Sequence, residues 1–135
     1  MAESAETAPR PTADEVGAWV GNRLDEIAGI DVGRIEGAFV DQDGGEPEWL
    51  LARMGRFGHY TLVPVRDAVE GVGHVWVPFT RDQIRGAPKV DPRAGLTATA
   101  ERALFDHYGI AVDAGRAAEL GEREDDAITA RPLNS

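Results

Sequence analysis

Glycine-centred turns cut residues 22–79 into short apolar stretches, and a chain divided this way can fold into little other than a small β structure. Ile35, Gly37 and Phe39 alternate with Arg34, Glu36, Ala38 and Val40, the period of a half-buried strand. Asp43-Gly44 is hairpin chemistry, because glycine reaches positive φ without a steric penalty. Residues 48–54 (EWLLARM) read as the return strand, Gly55-Arg56-Phe57-Gly58 as a second turn and residues 59–65 (HYTLVPV) as a third strand. Gly71 and Gly73 bracket another turn before residues 74–79 (HVWVPF), and a short strand is expected near residues 22–27. Pro64 and Pro78 give no ladder hydrogen bond, so each belongs at an edge, a bulge or a strand end.

Helices are expected only at the flanks. Thr12 or Asp14 can cap a short one that puts Val16, Trp19 and Val20 on one face, and Thr80 can cap a single turn to Ile84. Thr97 can cap a longer helix reaching Tyr108, with Gly109 at its end and Ile110 returning to Phe105. A short helix is also expected over residues 114–120. The organisation expected is a flexible tail over 1–11, one domain over 12–110 and an acidic, largely disordered tail over 111–135.

The order and spacing of these pieces resemble the PRC-barrel family. The resemblance runs through residues 32–41 (VGRIEGAFVD), Pro47 to Leu51, Gly55 to Gly58, Leu62 to Val65, Val75 to Thr80 with Asp82-Gln83-Ile84 and Ala87-Pro88, and Leu104 to Gly109. It covers about residues 20–110 and implies a mainly β fold, a small PRC-type barrel of about six strands with short flanking helices. The family includes the cytoplasmic domain of the photosynthetic reaction-centre H subunit and a domain of a ribosome maturation factor. It implies binding and scaffolding, and it brings no shared catalytic set.

Charge narrows the partners. The chain has 24 acidic and 14 basic residues, a net charge of −10. Residues 16–110 carry −4 of this, and no basic run exists to neutralise phosphates, so neither nucleic acid nor an anionic membrane is an expected direct partner. There is no cysteine and no stretch of the roughly 20 apolar residues that a membrane helix needs, and the expected location is cytoplasmic.

Candidate chemistry is sparse. His59 and His74, on strands expected to be neighbours, could meet a metal with Asp67 or Asp41, but no ligand spacing supports this. The only serines are Ser4 and Ser135, and Thr61 beside His59 lacks a positioned third group. Asp41/Asp43 and Glu46/Glu48 read as turn formers, and Gly55 to Gly58 as a hairpin rather than a phosphate cradle. No enzyme, cofactor or metal is expected.

What remains is a contact surface. The strand at 48–54 is apolar on both faces: one must fill the core, and the other is covered by the helix at 97–108 or by another subunit. Trp49, Leu51, Arg53, Tyr60 and Trp76 are the candidate protein-interaction residues, because aromatic side chains and arginine dominate interface energetics. A protein-binding module, self-associating as a homodimer, is the leading expectation. A ribosome- or RNA-processing accessory and a small-molecule or metal-binding barrel are the alternatives.

Overall fold

The computed structural model describes residues 11–55, 58–109, 120 and 123–133. The chain runs α1 (Ala13–Ala18), β1 (Arg23–Glu26), β2 (Asp31–Asp41), β3 (Pro47–Met54), β4 (His59–Pro64), β5 (Val69–Gly71), β6 (His74–Val77), α2 (Arg81–Arg85), β7 (Leu96–Thr97), α3 (Ala98–Tyr108) and β8 (Ile128–Pro132).

The local chemistry explains most of these elements. At α1 the Thr12 hydroxyl accepts from the Glu15 amide (3.1 Å) while the Glu15 carboxylate accepts from the Thr12 amide (2.8 Å), a reciprocal cap. Val16 and Trp19 from this segment are buried, whereas Val20, expected on the same face, is exposed. Thr80 at α2 and Thr97 at α3 cap one way only, each hydroxyl accepting from the amide three residues on, and α3 stops at Gly109, whose φ of 63° suits glycine. In the β2–β3 turn the left-handed residue is Gly45 (φ 74°) rather than Gly44, whose amide instead donates to the Asp41 carboxylate at 2.5 Å.

The sheet follows the order β4-β3-β2-β1-β6-β5, antiparallel except for the parallel pair β1–β6, with β8 added to β2 and β7 to β8. β2 is long enough to serve two neighbours along one edge: β1 pairs with it over Asp31–Arg34 and β8 over Phe39–Asp41, while β3 takes the other edge.

This topology overturns the expected PRC-type barrel and, with it, the family resemblance. The sheet is open, mixed and eight-stranded; β4 and β5 are its two ends, and no pairing among the described residues joins them. The outward side of β4 is already used, since the Tyr108 hydroxyl donates to the Leu62 carbonyl (2.6 Å) and the Thr61 hydroxyl to the Ile84 carbonyl (3.3 Å). At the far end β5 is only three residues long.

The C-terminal stretch expected to be disordered contains β8. Its signal is weak because the residues it buries, Thr129 and Ala130, are polar or small, and Pro132 ends it. The N-terminal tail, the return of Ile110 to Phe105 and the body of the helix expected over 114–120 lie outside the described residues. No described helix is long and apolar enough to cross a membrane.

Candidate functional site

Trp49 and Leu51 do not reach a surface. Trp49 is fully buried, its ring 5.0 Å from that of Phe105 on α3, and its indole N–H donates to the Glu101 carboxylate at 2.9 Å. Glu101 is itself buried and accepts at 2.5 Å from the Thr129 hydroxyl of β8. The second apolar face of β3 is therefore covered from within the chain, and Leu51 is buried with it.

Arg53 lies on the same side of β3 as Trp49 and Leu51, beyond this cover. Register carries its position across the sheet: Arg53 stands opposite Tyr60 on β4 and Arg34 on β2, Arg34 opposite Arg23 on β1, and Arg23 opposite His74 on β6. The next residue along each strand (Thr61, Ala52, Ile35, Leu24 and Val75) is fully buried, so the rank at Arg53 is the outward side of a sheet whose other side is core. Three arginines thus sit side by side on three adjacent strands.

Near the β6 end this rank is braced by Asp25, a buried carboxylate that accepts from Arg23 Nε at 2.6 Å and lies 2.7 Å from His74 Nδ1. The carboxylate holds the Arg23 guanidinium above its ordinary pKa, chiefly through that hydrogen bond. The His74 ring stacks on Trp76 at 5.6 Å and 12°. Trp76 is half-buried and stands opposite Val69 of β5. Of the five candidate residues, Arg53, Tyr60 and Trp76 belong to one outward face, joined through Arg34, Arg23 and His74; Trp49 and Leu51 belong to the interior.

His59 and His74 do not meet. They lie on β4 and β6, with β3, β2 and β1 between them, and the described residues contain no group of three side chains that could hold a metal. His107 is committed elsewhere: its Nε2 lies 2.6 Å from the Gln83 carbonyl, which can only accept, so that nitrogen carries the proton.

Beside the arginine rank the surface opens into a cleft of about 570 Å³ lined by Arg23, Arg34, Arg53 and Arg81, with Asp31, Glu36, Val32 and the backbones of Gly33 and Gly55. At the far edge Val69 is 55% exposed and Val72, in the two-residue turn between β5 and β6, is 96% exposed. Sequence reasoning missed Arg23, Arg34, Arg81, Val69 and Val72. Arg34 occupies the polar phase of its expected strand and Arg53 is the one charged residue in the second half of the strand at 48–54, so aligning the strands through their turns is the signal that would have paired them.

No family model and no curated protein matches the chain.

Proposed function

We infer that this protein is a non-catalytic protein-binding module that takes up an extended segment of a partner along the free edge of β5. The observation that carries this reading is the β5–β6 turn. Val72 holds φ 52° and Gly73 φ 81°, the left-handed pair of a tight hairpin, yet Val72 is β-branched and almost wholly exposed. Asparagine or glycine would suit that backbone better, and a polar residue would suit that exposure. Strain and exposed apolar surface together mark a position kept for contact.

The surroundings support the same use. Among the described residues β5 pairs only with β6, which leaves one side of its backbone for a further strand. Val69 and the half-exposed Trp76, directly opposite one another, supply an apolar anchor beside it. The sequence-based expectation of self-association named Trp49, Leu51, Arg53, Tyr60 and Trp76, of which Trp49 and Leu51 are occupied inside the chain. An antiparallel pairing of two β5 edges centred on Glu70 would oppose two like charges, which disfavours a second copy relative to a different polypeptide.

The test is site-specific photo-crosslinking in cells that express the full chain. A photoreactive residue at position 72 is expected to give a discrete heavier species that Trp76→Ala abolishes. The same residue at position 85, on α2 near the opposite end of the sheet, is expected to give none. Equal products from both positions, or none from position 72, would contradict the reading, and the mass of the partner separates a second copy from another protein.

A further inference from the structure

We propose that the arginine-lined cleft is a binding site for a small oxyanion carrying two or more negative charges, of the pyrophosphate or polycarboxylate type. The proposal rests on the register of the sheet and is independent of the β5 edge.

Like charges placed directly opposite one another on neighbouring strands destabilise a sheet. Here two successive cross-strand pairs, Arg23–Arg34 and Arg34–Arg53, do this side by side. Internal counter-charge relieves only one end. Arg23 is held by Asp25 at 2.6 Å and lies 3.7 Å from Asp31. Arg34 donates to the Gly21 carbonyl at 3.1 Å, a dipole and not a charge. Arg53 and Arg81 form no ion pair among the described residues, and both are exposed. Among the described lining residues four arginines face Asp31 and Glu36, and with Asp25 counted against Arg23 an excess of one positive charge remains, in a chain whose net charge is −10. A bound anion would turn the repulsion along the rank into shared attraction.

The shape of the site bounds the ligand. The cleft falls within the roughly 300–1,000 Å³ of ordinary small-molecule sites. Guanidinium groups present planar forks that match two oxygens of a phosphate or carboxylate at once. Among the described residues, Val32 is the sole hydrophobic side chain of the lining and the other side chains are charged, so the contacts it offers are polar ones. Arg81 is brought to the cleft by the start of α2, where its backbone amide donates to the Glu26 carboxylate at 2.6 Å.

The experiment is isothermal titration calorimetry of the full chain with sodium pyrophosphate and, separately, sodium citrate, at constant ionic strength set with chloride. One site per chain is expected for at least one of them. Arg34→Gln and Arg53→Gln should each weaken it about ten-fold or more, as loss of a charge-assisted contact does. Arg85→Gln, outside the cleft, should leave the affinity unchanged. Arg53→Gln removes one repulsive pair, and Arg34→Gln removes two at the cost of its hydrogen bond to the Gly21 carbonyl; melting temperatures measured alongside separate loss of binding from loss of the fold. Pyrophosphate alone would identify a phosphate-type site, and binding of citrate would identify a carboxylate-tolerant one; both outcomes support the proposal. No binding of either anion, or binding that Arg34→Gln and Arg53→Gln leave unchanged, would overturn it.

Discussion

Trp49 and Trp76 occupy the same kind of position, an outward phase on a central strand, and meet opposite fates. On β3 the helix α3 lies over the outward face: Phe105 meets the Trp49 ring, and Glu101 accepts its indole hydrogen. On β6 no described helix plays the same part, and Trp76 rests on His74 and on the bare backbone at Gly71, where an added Cβ would lie 3.4 Å from the ring. The sheet ends repeat the contrast. β4 has its outward carbonyl at Leu62 taken up by Tyr108, whereas β5 is left open beside two exposed valines. Among the described residues, one half of the sheet is covered from within the chain and the other half is left open, which is the half assigned above to a partner.

Substitution should separate the halves. Trp49→Ala removes a fully buried ring and leaves the Glu101 carboxylate short of a donor, so unfolding in denaturant should show a loss of about 3–5 kcal/mol. Trp76→Ala, on a half-exposed ring, should lose less than about 1 kcal/mol while abolishing capture at the β5 edge. Equal losses at the two sites would erase the distinction.

Tyr108 sharpens the contrast at the β4 end. Burial raises its phenol above the ordinary value, outweighing the hydrogen bond with Thr61 that acts in the other direction. The unfolded chain therefore releases this proton first, at about pH 10, while the folded chain still holds it. Stability from this group is complete below about pH 10 and is lost as pH rises toward the folded value. Denaturation followed from pH 8 to 11 should show a decline that Tyr108→Phe reduces. That variant should also lose about 1 kcal/mol at neutral pH, because the Leu62 carbonyl loses its donor. An identical pH slope in both proteins would remove Tyr108 from the account.

The smallest effect carries the opposite sign. Val72→Asn relieves a β-branched residue held at φ 52° and should raise stability by about 1 kcal/mol while weakening crosslinking to the partner. A gain in stability with undiminished capture would leave Val72 without a role in contact.

Much of the fold was legible where local chemistry decides it. Thr12, Thr80 and Thr97 cap helices because a hydroxyl beside free amides has one best use, and the alternation through Ile35, Gly37 and Phe39 anticipated β2. The connectivity was not legible. β8 buries only Thr129 and Ala130, and Thr129 is inside because Glu101, 28 residues earlier, accepts its hydroxyl. The barrel expectation failed for a related reason, since five strand signals in order carry no information on whether the last returns to the first. Arg53, Tyr60 and Trp76, singled out by residue type, share the outward face described above. Trp49 and Leu51 are buried, with Trp49 under α3, so of the two covers expected for the second face of β3 the helix at 97–108 is the one found. The arginine rank depends on register across three strands, which no single stretch of sequence contains.

The division of the sheet can be read most directly from acrylamide quenching of tryptophan fluorescence in the native protein. Trp19 and Trp49 are buried and Trp76 is the more exposed ring. The account predicts that Trp76→Phe removes most of the quenchable emission and that Trp49→Phe leaves it in place. Quenchable emission that survives Trp76→Phe and disappears with Trp49→Phe would contradict it.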